Sequence, residues 1–187
     1  FSEVVNFADN NVSGNTINDF KGICQGSSCV TVSVDSLNIG QHGTKNGGDC
    51  DSVGTWVPTD AGPEGGTCTL TKDIQITGNG VGMWLDSSRV TLDGAGHTVT
   101  GTQTDGYDHI GVQTCTQCHT MEIKDLTITK FAYGIRSSYA QGLTITGVTI
   151  TDIGKTAMSL SGSANLLVEN NIINVDLPNS WYGGINI

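Results

Sequence analysis

The sequence predicts an all-β fold built from stacked repeats, and two observations support this prediction. First, a short alternation of apolar and polar residues recurs along the second half of the chain. The repeated segments are Val90–Val99, Met121–Ile128, Leu143–Ile150 and Leu166–Ile173. Second, the starting positions of the last three segments, Met121, Leu143 and Leu166, are almost evenly spaced. A fixed period of this size is typical of solenoids, in which each repeat packs on its neighbours.

Each repeat is predicted to contain three short β-strands. Two of them come from the alternation, in which β-branched residues dominate at period two. A third strand precedes each pair and is marked by small and apolar residues. These markers are Gly111–Val112, Gly134–Ile135, Met158–Leu160 and Gly184–Ile185. Three short strands in every repeat predict a parallel β-helix, since each coil pairs with the coils before and after it.

The register of the repeats also predicts which side chains stack inside the coil. One inward ladder is expected to contain equivalent apolar residues of successive repeats, namely Val99, Ile128, Ile150 and Ile173. His97 falls in register with Leu126 and Val148 of the following repeats. This position predicts a structural histidine at an inner corner of the coil.

Three stretches carry a resemblance to a known family: Thr67–Asp73, Val90–Val99 and Leu126–Ile135. They resemble coils of the right-handed parallel β-helix repeat proteins of microbial surfaces, a superfold that includes pectate lyases and the β-helix of a copper-site assembly protein. The resemblance covers about two thirds of the chain. It implies a right-handed coil and leaves the function open, because members share a scaffold and differ in what they bind.

The repeat divides the predicted single domain, residues 1–187, into three parts. Residues 1–39 are expected to form N-terminal coils, with Val30–Val32 and Leu37–Ile39 as a strand pair equivalent to Met121–Ile128. Residues 40–66 are rich in Gly, contain Pro58 and Pro63, and lack apolar alternation, which predicts one long loop excursion. Residues 67–187 form the regular coils and end in an incomplete coil.

Composition agrees with an exported protein that does not span a membrane, and the expected localisation is extracellular or at the cell surface. The net charge of −10 argues against a nucleic-acid partner, whose phosphates require clusters of Lys and Arg. The sequence contains no run of about 18 apolar residues, which is the length that a membrane-spanning helix needs. The absence of an initiator Met suggests either a removed signal peptide or a fragment of a longer protein.

Six cysteines form three close pairs in the sequence. The pairs are Cys24 with Cys29, Cys50 with Cys68, and Cys115 with Cys118. An even number with local pairing favours disulfides and an oxidising compartment. A bridge between Cys50 and Cys68 would close the excursion at its root.

The segment Cys115–His119 has the Cys-x-x-Cys-His spacing of c-type haem attachment. Under this alternative the two thiols form thioethers, His119 is the proximal iron ligand, and His42 or His109 supplies the sixth ligand. Cys24 and Cys29 occupy the equivalent turn without the haem spacing. The register therefore favours a turn disulfide, and the expected state is a protein without cofactor.

The fold also raises the alternative of a protein that binds or processes polysaccharide. Lyases and hydrolases need clustered carboxylates, or a calcium site beside a basic residue. The acidic residues here are scattered along the turns, which predicts no catalytic residue and no metal site. Four aromatic residues are candidates for stacking on sugar rings: Trp56, Trp84, Trp181 and Tyr182.

The two ends of the chain suggest self-assembly. Residues 183–187 match the first strand of a coil, and Val5, Phe7 and Val12 have the spacing of the two strands that would complete it. An open end of a solenoid offers unpaired backbone groups to a similar edge. The sequence therefore predicts a structural protein whose copies stack head to tail, with Ile185 and Ile187 as the receiving edge.

Overall fold

The computed structural model describes residues 31–102, 109–174 and 184–187, and in these ranges the chain winds into a parallel β-helix. Each coil contributes short strands that pair with equivalent strands of the next coil. The elements are β1 (Val32–Val34), β2 (Leu37–Ile39), α1 (Cys50–Val53), β3 (Gly54–Pro58), β4 (Gly66–Leu70), β5 (Ile74–Ile76), β6 (Val81–Leu85), β7 (Val90–Asp93), β8 (Thr98–Thr100), β9 (Ile110–Thr114), β10 (His119–Lys124), β11 (Thr127–Ser138), β12 (Gln141–Thr146), β13 (Thr149–Ser161), β14 (Leu167–Glu169), β15 (Ile172–Asn174) and β16 (Ile185–Asn186).

The strands stack into three faces, which confirms three strands per coil. Face I contains β3, β4, β7, β10, β12 and β14. Face II contains β1, β5, β8, the first halves of β11 and β13, and β15. Face III contains β2, β6, β9, the second halves of β11 and β13, and β16. Neighbouring strands are parallel except for β3, which runs antiparallel to β4.

The predicted inward ladder is confirmed on face II. Val99 pairs with Ile128, Ile128 with Ile150, and Ile150 with Ile173. The ladder extends backwards through Ile74, which pairs with Val99. The first three predicted members are fully buried, whereas Ile173 in the last coil is half-buried. The core is therefore a narrow column in which each side chain sits on its equivalent in the next coil.

A single bulge accounts for the slight irregularity in the spacing of the repeats. Phe131 pairs with Ile153, whereas Tyr133 pairs with Thr156, so the offset between paired strands grows by one position along β13. The extra residue lies at the bend between faces II and III. A bulge of this kind bends the strand and redirects one side chain. Here it places Lys155 beside the bend.

The corner between faces I and II is tight and turns through left-handed residues. Asp125, Gly147 and Asn170 occupy it in successive coils, with φ of 48°, 65° and 54°. His97 lies at this corner, as expected, and its Nδ1 is 3.1 Å from Oδ1 of Asp73. The corner is therefore built from local turn chemistry and polar side chains that satisfy the backbone.

The predicted register of the N-terminal strands is wrong by one face. The alternation places Leu37–Ile39 beside the equivalents of Leu126–Ile128, on face II. The structure instead pairs Leu37 with Met83 on face III and places Val32–Val34 on face II. Alternation alone fixes which side chains point inward, but all three faces share that alternation, so it does not identify the face.

The excursion at residues 40–66 is more ordered than its composition predicts. It contains α1 and β3, and β3 adds an antiparallel strand to the edge of face I. Cys50 and Cys68 form a disulfide at its root, with a Cα–Cα distance of 5.8 Å. Trp56 on β3 packs against the core, and its Nε1 donates to the Lys45 carbonyl at 2.8 Å. The segment thus covers one end of face I.

A buried carboxylate fastens the excursion to the coil. Glu64 is 8% exposed, and its Oε2 accepts a hydrogen bond from the Gly43 N–H at 2.6 Å. That bond lowers the pKa of Glu64, although burial opposes the effect; the hydroxyls of Ser87 and Ser88 and nearby His42 lower it further. The charged form of Glu64 therefore holds the loop on the turn between β6 and β7.

We predict that Ile128→Ala lowers the free energy of unfolding by about 2–5 kcal/mol, because it opens a cavity in the middle of the inward ladder. The matched control is Thr129→Ala, whose side chain points outward on the same strand and whose loss is expected to cost less than about 1 kcal/mol. Denaturant unfolding followed by circular dichroism measures both. Equal effects would contradict the assignment of inward and outward positions.

We predict that Glu64→Gln lowers stability by about 2 kcal/mol at neutral pH, where the carboxylate accepts charge-assisted hydrogen bonds. Because folding lowers the pKa of Glu64, its contribution is complete above the ordinary value of 4.5 and is lost as pH falls through the lowered value. The stability difference between wild type and variant should therefore vanish in acid. Thermal unfolding across pH measures this difference, with exposed Asp60→Asn as the control. A stability difference that persists in acid would contradict the role of the charged Glu64 carboxylate.

Candidate functional site

The last coil forms an apolar edge at the C-terminal end of the described β-helix. Val168 and Ile173 point inward and are half-buried. Ile185 pairs with Met158 of the preceding coil and is 46% exposed, and Ile187 is 78% exposed. The predicted receiving residues therefore lie on this edge. Their predicted partners, Val5, Phe7 and Val12, fall outside the described residues.

The outward side of the same coil is also more apolar than that of the coils before it. Leu167 and Ile172 are 47% and 62% exposed, at positions where the preceding coil has Thr144 and Thr149. In the interior coils such outward positions are largely Thr, Asp, Lys and Glu. The change from threonine to Leu and Ile is confined to the final described coil. Exposed apolar side chains concentrated at one end are a common mark of an interaction surface.

The Cys-x-x-Cys-His segment forms a turn between face III and face I. Cys115 and Cys118 are joined as a disulfide, with a Cα–Cα distance of 5.6 Å, and both belong to the hydrophobic core. Their side chains point into the coil, whereas His119 is exposed. Inward thiols that are bonded to each other do not fit thioether attachment of a haem. The geometry supports the turn disulfide.

The other histidines of the haem alternative do not converge on this turn. His109 is buried against Phe131, with ring centroids 4.7 Å apart. His42 lies in the excursion, 3.5 Å from the Glu64 carboxylate. The contacts given for both histidines are therefore with residues other than Cys115, Cys118 and His119. Cys24 and Cys29 lie outside the described residues, so the third pair stays a prediction.

Face III carries an outward row of polar and aromatic side chains. Trp84, Gln113, Arg136 and Ser159 occupy equivalent positions in four successive coils. Neighbouring coils are about 4.8 Å apart, so the row spans the length of a short oligosaccharide. Trp181 and Tyr182, also proposed for sugar stacking, fall outside the described residues. Trp56 is engaged in covering the core.

Two cations flank one aromatic ring beside this row. The Arg136 guanidinium lies 5.8 Å from the centroid of Tyr133, and the Lys155 ammonium lies 5.6 Å from it. Both distances fall within the range of cation–π attraction. Lys155 is 6% exposed and comes from the bulge in β13. Sequence reasoning missed this cluster, because the bulge that brings Lys155 to Tyr133 leaves only a one-residue change of period as its signal.

The acidic side chains of the described part of the chain do not form a metal-binding group. No cluster of three His, Cys, Asp or Glu side chains with metal-ligand spacing occurs there. Lys124 forms an ion pair with Asp93 at 3.2 Å on the outside of face I. The hydrogen bond and charge of Asp93 raise the pKa of Lys124, so this amine is held in its charged form.

The comparisons with known proteins identify the fold family. The family model described as the right-handed β-helix region matches residues 64–186, and the chain belongs to this family. The family includes both enzymes and non-enzymes. No curated protein and no solved structure matches the chain. None of the helices in the described ranges has the length and apolar character to cross a membrane.

Proposed function

We propose that the protein is an extracellular, non-catalytic structural protein whose copies stack head to tail into a β-helical filament. The observation that carries this proposal is the apolar edge of the last coil. Its inward residues continue the core column, and its outward Leu167 and Ile172 replace the threonines of the coil before. Stacking would bury these side chains and pair the strand edges in one step.

The proposed contact assigns one role to residues near Ile185 and another to residues near Val5. Ile185 and Ile187 form the receiving edge, and Val5, Phe7 and Val12 form the incoming edge of the next copy. The contact is heterologous, so it repeats without closing and gives an extended filament. The two disulfides support an oxidising, extracellular setting.

We predict that purified protein forms filaments that disappear in the double variant Ile185→Asp, Ile187→Asp, because two charges would then be buried without partners at the contact. A second variant, Val5→Asp with Phe7→Asp, tests the incoming edge. The control is Tyr139→Asp, which removes a side chain that is 58% exposed on a lateral corner. Negative-stain electron microscopy measures filament length. Separate short rods in every sample would refute the assembly.

A second candidate function rests on Trp84 and Arg136 in the outward row of face III. As part of a larger cell-surface β-helix, the protein would bind an anionic polysaccharide along face III. Trp84 offers a surface for a sugar ring, and Arg136 offers a planar donor to a carboxylate. Arg136 supplies a positive charge to this row in a chain with 8 Lys and Arg against 18 Asp and Glu.

We predict that Arg136→Gln weakens binding of polygalacturonate about tenfold, the loss expected for a hydrogen bond to a charged group. Lys45→Gln is the matched control, because it removes one positive charge from the excursion without touching face III. Affinity electrophoresis in gels with polygalacturonate or neutral dextran measures the retardation. Equal retardation of wild type and Arg136→Gln would remove this candidate.

A further inference from the structure

The turn between β9 and β10 is one residue longer than the equivalent turn of the next coil. Gln113 pairs with Arg136 before the turn, and His119 pairs with Gln141 after it, so the offset between the two coils falls by one residue across the turn. The Cys115–Cys118 disulfide joins the two sides of this turn, and the two residues between the cysteines are exposed. The disulfide therefore holds a short outward projection at the corner between faces III and I.

Tyr139 occupies the equivalent turn of the next coil, between β11 and β12, and its side chain is 58% exposed. A β-carbon added to Gly162, in the turn of the following coil, would lie 2.7 Å from both Cδ1 and Cε1 of Tyr139. Only a glycine leaves room for the ring at that place. The ring of Tyr139 is therefore supported by the backbone of the following coil, while more than half of the side chain is open to solvent.

The backbone of Tyr139 is in a conformation that favours other residues. Its φ is 57°, in the left-handed region that bulky L-residues rarely adopt. The next coil has Gly162 in its turn, with φ of 63°, and glycine adopts this conformation without strain. Neither backbone preference nor core packing accounts for an exposed tyrosine here. Backbone strain of this kind is found most often at active sites and ligand-binding sites.

The corner around Tyr139 is uncharged over three successive coils. The segments that form it are 115–120, 138–142 and 161–165. None of them contains Asp, Glu, Lys or Arg, although the chain has 8 Lys and Arg and 18 Asp and Glu. An exposed aromatic side chain in surroundings depleted of charge is typical of a binding surface.

Uncharged hydrogen-bonding side chains lie on both sides of Tyr139. Gln117 is exposed on the disulfide-held projection, and Gln141 is exposed two residues after Tyr139. Gln141 is level with His119 of the preceding coil, which is also exposed. Neighbouring coils are about 4.8 Å apart, which is close to the size of one sugar ring. The corner thus presents an aromatic ring bordered by amide donors and acceptors.

We propose that Tyr139 and the disulfide-held turn beside it bind a neutral saccharide. A pyranose with equatorial hydroxyls has an apolar face that stacks on an aromatic ring, and its hydroxyls can bond to side-chain amides around that ring. An anionic sugar is matched instead by Arg or Lys, which the three corner segments lack. The site is on a lateral corner, so this proposal does not depend on filament formation.

Affinity electrophoresis in gels with hydroxyethyl cellulose, a soluble neutral β-linked glucan, tests the proposal. We expect the wild type to be retarded and Tyr139→Gly to bind at least about tenfold more weakly. Thermal unfolding should show that Tyr139→Gly is as stable as the wild type or more stable, because glycine suits the left-handed backbone. Tyr139→Phe keeps the aromatic face and should keep the retardation. The matched control is Val57→Ala, which shortens a side chain that is 59% exposed on β3.

A double variant, Cys115→Ser with Cys118→Ser, tests the contribution of the projection and should also weaken the retardation. Unchanged retardation of this variant would overturn the role of the disulfide-held turn.

Three other outcomes would overturn the saccharide site. They are no retardation of the wild type, equal retardation of Tyr139→Gly, and a marked fall in the unfolding temperature of Tyr139→Gly, which would give the ring a structural role. Gels with polygalacturonate test the ligand class. An equal loss of retardation by Tyr139→Gly in those gels would overturn the assignment to a neutral sugar.

Discussion

The fold depends on one constraint: each coil must place its inward side chains directly on those of the next coil while its strands form parallel hydrogen bonds. The column from Ile74 through Val99, Ile128 and Ile150 satisfies both conditions at once. An extra residue is accommodated where the pairing on both sides of it stays regular. The bulge in β13 is such a place, because it lies between two regions of regular pairing. The period of the sequence is thus a direct consequence of packing between coils.

Features that depart from the repeat lie at its turns and ends, and these are where the candidate functions are found. The bulge delivers Lys155 to Tyr133, the excursion supplies an antiparallel strand, and the last coil exchanges outward threonines for Leu167 and Ile172. Within a regular solenoid, the type of each residue is restricted mainly by packing against the equivalent residues of neighbouring coils. Departures from that pattern need a separate physical reason, and binding or assembly provides one.

The two proposed functions use different surfaces of the same rod. The proposed assembly uses the apolar edge of the last described coil, and the proposed polysaccharide binding uses the lateral row on face III. Stacking of copies would place successive copies of that row along one filament, which would favour a long polymeric ligand through multivalency. A variant at Ile185 or Ile187 therefore separates assembly from binding, because neither residue belongs to the row.

The sequence by itself determined the repeat, its three strands per coil and the inward positions, because period-two alternation and a fixed repeat length directly reflect the burial of one strand face. It also favoured the disulfide at Cys115 and Cys118 over haem, since the equivalent turn lacked the haem spacing. Tertiary structure decided which face β1 and β2 join, the strand hidden in residues 54–58, and the meeting of Arg136 and Lys155 on Tyr133. These depend on pairing between residues that are distant in sequence, and local alternation is the same on every face.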